Sequence, residues 1–188
     1  MPDPSPHATE IAELVLQLGR SPYANRAPDG LTQAQWMALR FFARANRFSR
    51  NVSGFAAFHA TTRGTASQTV RSLVDKGYLS RRRSPRDGRS VQFDLTPLAA
   101  DKLAADPLEN IVRAAAALSR TQQTHTAAGL RAVLGEFEKA RTCSRTGVCR
   151  HCGHLQAGDG TSNRCRLMNE SLDRGELDEL CVRHQARA

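Results

Sequence analysis

The chain has 188 residues, of which 40% are hydrophobic, and a formal net charge of +9. This length allows one domain with a full hydrophobic core and a small additional unit. No apolar run approaches the ~20 residues that a membrane-spanning helix needs. The N-terminal residues also lack the basic and apolar regions of an export signal, so we expect a cytoplasmic protein without membrane contact.

The positive charge is concentrated in one part of the chain. Residues 21–95 contain 13 Lys and Arg against 4 Asp and Glu, whereas acidic and basic residues balance in the remainder. A concentrated positive field favours a polyanionic partner, because each neutralised phosphate releases condensed counterions. If these arginines were only solvated surface residues, they would not need to be concentrated in one part of the chain. The distribution therefore indicates nucleic-acid binding.

The first predicted helix lies within residues 1–20, after a proline-rich tail, and ends near Gly19. Its apolar residues recur at helical spacing. They are Ile11, Leu14, Val15 and Leu18. This stripe needs a partner surface, which is either the rest of its own domain or a second copy of the chain.

Residues 21–95 predict a helix-turn-helix followed by a hairpin. Thr32 and Gln35 form a capping box that opens a helix, and its apolar face carries Trp36, Leu39, Phe42 and Ala43. Ser53 is placed to cap a short helix. Residues 60–64 form a turn before a helix over 65–76, which Gly77 ends.

The helix over residues 65–76 has one apolar and one polar face. Its polar residues are Thr65, Ser67, Gln68, Thr69, Arg71 and Ser72. Short polar and amide side chains of this kind reach base edges in the major groove of DNA. The sequence therefore predicts a recognition helix here.

The predicted hairpin has strands over residues 78–83 and 90–95, with residues 84–89 as its tip. Val91, Phe93 and Leu95 alternate with polar residues, so we expect one packed face and one solvated face. Arginines on the first strand and at the tip surround a single acid, Asp87. We expect this wing to straddle the DNA backbone, with a tip arginine in the minor groove. The predicted DNA-binding residues are Arg63, Thr65, Ser67, Gln68, Thr69, Arg71, Arg81, Arg83, Arg86, Asp87 and Arg89.

Residues 96–141 predict further helices. Thr96 and Pro97 form an N-terminal cap, a break or restart follows near Asp106, and Ser119 with Gln122 caps a final helix that ends near Arg141. Together with the first helix, these segments carry enough apolar surface for a dimer interface.

The predicted fold is mainly α with a small β-hairpin wing. The stretches 31–39, 69–79 and 82–91 resemble the second helix, the recognition helix and the wing of the multiple-antibiotic-resistance regulator (MarR) family. The resemblance covers about residues 8–141. It implies a homodimer on a pseudo-palindromic double-stranded DNA operator, with Asp87 orienting Arg89. The predicted domains are a tail and dimerisation helix (1–20), a winged helix-turn-helix (21–95), dimerisation helices (96–141) and a cysteine-rich C-terminal extension (142–188).

All five cysteines lie in that extension. Cys149 and Cys152 form a C-x-x-C pair, and Cys165 and Cys181 follow after 12 and 15 intervening residues. An odd number of cysteines in a cytosolic chain argues against a disulfide framework. We therefore predict a metal centre with these four ligands. Reserve ligands are Cys143, His151, His154 and His184.

Three identities of this centre are open. Structural zinc usually draws on two matched knuckles, and only one is present here. Irregular spacing, surplus cysteines and nearby arginines that offset thiolate charge favour an iron–sulfur cluster, with Zn²⁺ as the alternative. Free thiols that sense oxidants by forming disulfides are the third reading.

The sequence thus predicts a dimeric DNA-binding transcriptional regulator, expected to be a repressor, whose metal centre senses redox or iron state by moving the dimer helices. A thiol-redox or iron–sulfur enzyme is the alternative from another class, but no base, nucleophile or cofactor loop stands beside the cysteines. An aromatic content of 5% disfavours an RNA-binding zinc protein, which would stack bases on aromatic rings.

Overall fold

The computed structural model of the protein describes residues 5–23, 30–83, 90–140, 146–158 and 163–187. Its helices are α1 (Pro6–Arg20), α2 (Gln33–Arg44), α3 (Val52–Phe58), α4 (Arg63–Asp75), α5 (Pro97–Ala104), α6 (Glu109–Ala116) and α7 (Arg120–Ala140). Its strands are β1 (Leu79–Arg83), β2 (Val91–Leu95), β3 (Gly147–Val148), β4 (Leu155–Gln156), β5 (Asn163–Cys165), β6 (Glu170–Leu172) and β7 (Leu180–Cys181). Short 3₁₀ turns cover Ser21–Tyr23, Cys149–His151 and Glu176–Asp178. We call residues 146–158 and 163–187 the cysteine module.

A cluster of phenylalanines forms the centre of the main core. Phe41 and Phe42 on α2 are fully buried, and their ring centroids lie 5.2 Å apart in an edge-to-face arrangement. Phe55 on α3 is also buried, and Phe93 on β2 lies 5.8 Å from Phe42. These rings join α2, α3 and the hairpin, because aromatic side chains bury large areas and pair favourably.

Local capping signals set most helix boundaries. Both hydrogen bonds of the Thr32–Gln35 capping box are present, as predicted. The cap of α3 is Asn51, which accepts from the Gly54 amide at 2.9 Å, so the assignment of this cap to Ser53 was wrong. Helix α4 begins at Arg63 with Thr62 as its cap, two residues before the predicted start. In both cases the Asn or Thr just before the helix forms the cap, because these residues are strong N-terminal caps.

Strands β1 and β2 form the predicted antiparallel hairpin, with Leu79 opposite Leu95 and Arg83 opposite Val91. Gly77 has a φ of 77°, which confirms its role in ending α4. The hairpin tip, residues 84–89, lies outside the described residues. Phe93 is buried as predicted, but its neighbours Gln92 and Asp94 are only half exposed. The second face of the hairpin is therefore covered in part, which corrects the expectation of a solvated face.

The helices after the hairpin follow the predicted caps. The Thr96 side chain accepts from the Ala99 amide, and the chain leaves α5 at Ala105 before α6 begins. Ser119 and Gln122 exchange capping bonds at the start of α7. Helices α1, α6 and α7 expose large apolar residues, which include Ile11, Leu14, Val15, Val112, Leu130, Val133 and Leu134. Among the described helices, none combines the length and apolar character required to cross a membrane.

The contact between Gly54 and the preceding loop is a sensitive point of this core. A Cβ added at Gly54 would lie 2.1 Å from the carbonyl oxygen of Ser49, which is backbone and cannot swing away. We predict that Gly54→Ala lowers the free energy of unfolding by about 3 kcal/mol, the upper range of overpacking. Thermal or urea denaturation measures this loss.

Gly64→Ala is the matched control for that substitution. Gly64 lies in the first turn of α4, and a Cβ there meets only the Thr62 hydroxyl at 3.8 Å. Alanine also has the higher helix propensity, so stability should stay the same or rise by up to about 1 kcal/mol. Equal destabilisation by both substitutions would contradict the described loop geometry.

Candidate nucleic-acid interface and cysteine site

The exposed face of α4 carries the predicted recognition residues. Ala66, Val70 and Leu73 point into the core, which turns the opposite face of the helix to solvent. The exposed residues on that face are Arg63, Thr65, Ser67, Gln68 and Arg71. Thr69 is half-buried, and its hydroxyl donates to the Thr65 carbonyl at 3.1 Å. The face is therefore polar and basic, without bulky apolar side chains.

Ser72 does not belong to this face, contrary to the sequence analysis. Its hydroxyl accepts a hydrogen bond from the side-chain amide of buried Gln35 at 2.9 Å. That bond ties α4 to α2 in the interior. The helical period alone did not identify Ser72 as inward-facing, because a serine is compatible with either face.

The wing arginines divide into two groups. Arg81 and Arg83 are exposed on β1. Arg82 instead contacts β2, with its Nε 2.9 Å from an Asp94 carboxylate oxygen and its Nη2 donating to Gln92 at 3.2 Å. The remaining predicted wing residues, Arg86, Asp87 and Arg89, lie outside the described residues.

The four predicted principal ligands meet around one pocket in the cysteine module. Cys149, Cys152, Cys165 and Cys181 all line it, although they are up to 32 positions apart in the sequence. None of the four is in a disulfide bond; three are buried and Cys165 is half-buried. The other lining residues are Asn46, Phe48, His154, Leu155, Leu167, Met168, Leu172 and Arg183. The thiols thus share a largely apolar enclosure.

The pocket encloses a cavity of about 10 Å³. Among the described residues, no three His, Cys, Asp or Glu side chains are placed to hold a single metal ion. Of the reserve ligands, His154 lines the pocket, and exposed His151 does not. Cys143 lies outside the described residues.

His184 also lies away from the pocket lining. Its ring packs on the backbone of Gly147, where an added Cβ would come within 2.7 Å of ring atoms. The buried Nε2 of His184 has no hydrogen-bond partner in the described part of the chain.

Hydrogen bonds polarise two of the sulfurs. The Cys149 thiol bonds to Cys181, and this bond lowers the pKa of Cys181 to about 5, with further help from the Arg183 amide 3.4 Å away. The same bond, together with burial, raises the pKa of Cys149. The pair therefore favours a thiolate at Cys181, which accepts a hydrogen bond from the protonated thiol of Cys149. A thiolate is the form of cysteine that binds metal.

Asn46 is a site residue that sequence reasoning missed. It is fully buried in the loop between α2 and α3, and its Nδ2 donates to the Cys149 sulfur at 3.4 Å. These two residues are 103 positions apart. The sequence contains no periodic signal at Asn46. Its one cue is a polar residue between two predicted helices.

Comparisons with known proteins agree with this architecture. The sequence profile of the MarR family matches residues 29–90. A probable transcriptional regulator from Pseudomonas aeruginosa is 29% identical; the match covers 67% of this chain and 95% of that chain with a TM-score of 0.50. A comparison with curated proteins finds no match.

Two further solved structures show the same fold at lower identity. The S. aureus MepR–DNA complex is 16% identical, with coverage of 69% and 95% and a TM-score of 0.57. A MarR/EmrR family transcriptional regulator from Acinetobacter sp. ADP1 is 19% identical, with coverage of 71% and 96% and a TM-score of 0.56. The proteins from Pseudomonas aeruginosa and Acinetobacter are described as transcriptional regulators and not as enzymes.

Proposed function

We propose that this transcriptional regulator, whose winged-helix domain is of the MarR family, represses transcription as a homodimer on a pseudo-palindromic operator under the control of its cysteine module. The observation that carries DNA binding is the exposed face of α4 beside the arginine-bearing strand β1. The MepR complex with DNA shows that another protein of this fold binds duplex DNA. A dimer that covers a promoter blocks transcription by occupancy alone, which is why we propose repression.

The chemistry of the two surfaces assigns them different roles. Gln68 has an amide that can pair with an adenine edge in the major groove, and Arg71 can pair with guanine. Arg81 and Arg83 lie on the wing strand, where guanidinium groups neutralise phosphates without reading sequence. We therefore assign sequence preference to α4 and much of the affinity to the wing.

The second copy in the proposed homodimer covers the apolar surfaces of α1, α6 and α7. Side chains such as Leu14, Val112 and Leu134 are each about half exposed in the single chain. Residues of this size favour burial by about 1.5–3 kcal/mol each when they leave water. A two-fold arrangement also presents two α4 helices to half-sites roughly 34 Å apart.

The proposed centre in the cysteine module is an iron–sulfur cluster. Four thiols around a single apolar pocket form the donor set that such clusters use. Arg183 also lines the pocket, where its charge could offset that of cluster-bound thiolates. Zinc is the second candidate, favoured by the direct hydrogen bond between Cys149 and Cys181, since tetrahedral zinc also brings thiolates together.

DNA binding by the wing predicts a specific salt dependence. Arg81→Ala should weaken binding to every duplex and reduce the slope of log K against log[salt] by about 1, because one phosphate contact is lost. Gln68→Ala should instead relax sequence preference by about 1–3 kcal/mol at one base pair. Titrations of labelled duplexes at several salt concentrations measure both effects.

Arg120→Ala is the control for charge alone, since Arg120 is exposed at the start of α7. It should keep the salt slope of the parent protein. The proposal would be refuted if the parent showed no salt-sensitive affinity for any duplex.

The dimer interface predicts a change of mass in solution. Leu134→Asp on α7 places a carboxylate in the proposed interface, and burial of an unpaired charge strongly opposes association. Sedimentation should show a dimer for the parent and a monomer for the variant, with weaker operator binding. A parent that is monomeric at micromolar concentration would contradict the proposal.

The metal centre predicts colour and stoichiometry. Protein purified without air should be brown and contain iron and acid-labile sulfide, and Cys149→Ser or Cys181→Ser should lose both. His151→Ala, at an exposed residue that does not line the pocket, is the control and should retain them. A colourless protein with one zinc per chain would select the zinc alternative, and a metal-free protein would overturn both.

A further inference from the structure

The loop between α2 and α3 is hydrogen-bonded to the cysteine module. We call residues 45–50 the junction loop. The backbone N–H of Asn46 donates to the Leu180 carbonyl at 2.8 Å, and the backbone N–H of Val182 donates to the Ser49 hydroxyl at 3.2 Å. Asn46 and Ser49 are 0% and 1% exposed. One backbone–backbone bond and one bond to a side-chain hydroxyl therefore fix Leu180 and Val182 of the module to the winged-helix domain.

The junction loop is also one wall of the cysteine pocket. Asn46 and Phe48 line that pocket with the four thiols. The Asn46 side chain bonds in two directions, because Nδ2 donates to the Cys149 sulfur at 3.4 Å and Oδ1 accepts from the Ser49 amide at 3.0 Å. The Asn46 side chain thus links the backbone of the loop to Cys149, one of the predicted metal ligands.

The opposite side of the junction loop holds the wing. The Phe93 amide donates to the Arg50 carbonyl at 2.9 Å, and the Gln92 side chain donates to the Arg47 carbonyl at 2.7 Å. Both donors belong to β2. The edge of the hairpin is therefore hydrogen-bonded to the same six residues that contact the module.

A line of alternating charges runs in parallel with these bonds. The Arg50 guanidinium lies 3.1 Å from a Glu179 oxygen in the module and 3.4 Å from an Asp94 oxygen on β2. Asp94 in turn lies 2.9 Å from the Arg82 Nε on β1. All four side chains are partly shielded from solvent, between 25% and 49% exposed. Partial burial reduces screening of such contacts relative to a fully solvated pair.

We propose that occupation of the cysteine pocket sets the position of the wing of the same protomer through the junction loop. The inference rests on the proposed metal centre and names the route by which that centre controls DNA binding. A group held by the four cysteines would lie against Asn46 and Phe48, which form the junction-loop wall of the same pocket. Loss of the group removes that support, and the loop and β2, which are hydrogen-bonded to each other, relax together. This route is an alternative to the one through the dimer helices that the sequence suggested.

Two adjacent carboxylates in the module provide a matched test. Glu179 pairs with Arg50 of the junction loop, whereas exposed Asp178 pairs with Arg150 inside the module. The variants Glu179→Gln and Asp178→Asn remove the same charge one position apart. The readout is the ratio of Kd values for metal-stripped and metal-loaded full-length protein, on a duplex selected from a random-sequence library with the loaded parent.

We expect a ratio of about 10 or more for the parent, within the usual range of coupling between sites. Asp178→Asn should keep that ratio. Glu179→Gln and Asn46→Ala should reduce it to about 3 or less while the loaded proteins keep the metal content of the parent, since they retain all four cysteines. A parental ratio in both variants overturns the inference and leaves the metal centre intact, whereas a parent without metal overturns the metal centre itself.

Hydrogen exchange supplies an independent measurement. Stripping the parent should speed exchange in residues 45–50 and 91–95 and leave α7 unchanged. Faster exchange in α1, α6 and α7 with no change in 91–95 would overturn the inference in favour of the dimer route. If stripping unfolds the whole chain, the loaded Asn46→Ala variant is compared with the loaded parent. Unchanged exchange in 91–95 then counts against the inference.

Discussion

The buried side chain of Asn46 is the constraint on which the arrangement of this protein depends. A buried polar group without a partner costs about 1–3 kcal/mol, so a fully buried amide must find its hydrogen bonds in the fold. The Asn46 side chain satisfies them at the Ser49 amide within its own loop and at the Cys149 sulfur in the module, and the Asn46 backbone N–H donates to the Leu180 carbonyl. The loop and the module consequently stabilise each other's conformation. Leu180 and Val182 of the module are also buried in the hydrophobic core of the winged-helix domain.

The position of the recognition helix follows from this loop. The Ser49 carbonyl approaches Gly54 so closely that only glycine fits, which brings the start of α3 against the loop. Phe55 then enters the aromatic core beside Phe42, and α3 leads through a short turn into α4. The exposed face of α4 is thus oriented by packing that begins at the junction loop. Because the hairpin bonds to that loop as well, both candidate DNA-contacting elements share one support.

Local physics explains which features were predictable from the sequence. The Thr32–Gln35 box, Gly77 and the burial of Phe93 depend on signals within a few residues, and the structure has all three. Where two local signals compete, the sequence does not decide, as with Asn51 and Ser53 for one cap. Long-range bonds leave no local pattern at all. The burial of Asn46, the inward turn of Ser72 and the pairing of Arg82 with Asp94 each depend on partners that only the fold brings near. The spacing of the cysteines predicted that they would meet, but not that a loop of the winged-helix domain would form part of their enclosure.

The magnitudes favour control through the wing over movement of whole helices. Coupling between two sites in regulators is typically about 1–3 kcal/mol. An ordinary hydrogen bond contributes about 0.5–1.5 kcal/mol, so the loss of one or two of the bonds made by the junction loop is already of the required size. Moving α1, α6 and α7 would instead rearrange apolar surface over an entire interface, at a cost of about 25 cal/mol for each Å² exposed. On the proposed mechanism, a cysteine centre that touches the junction loop changes DNA affinity without that cost, because only the wing has to move. The proposed dimer would stay assembled while the position of β2 changes.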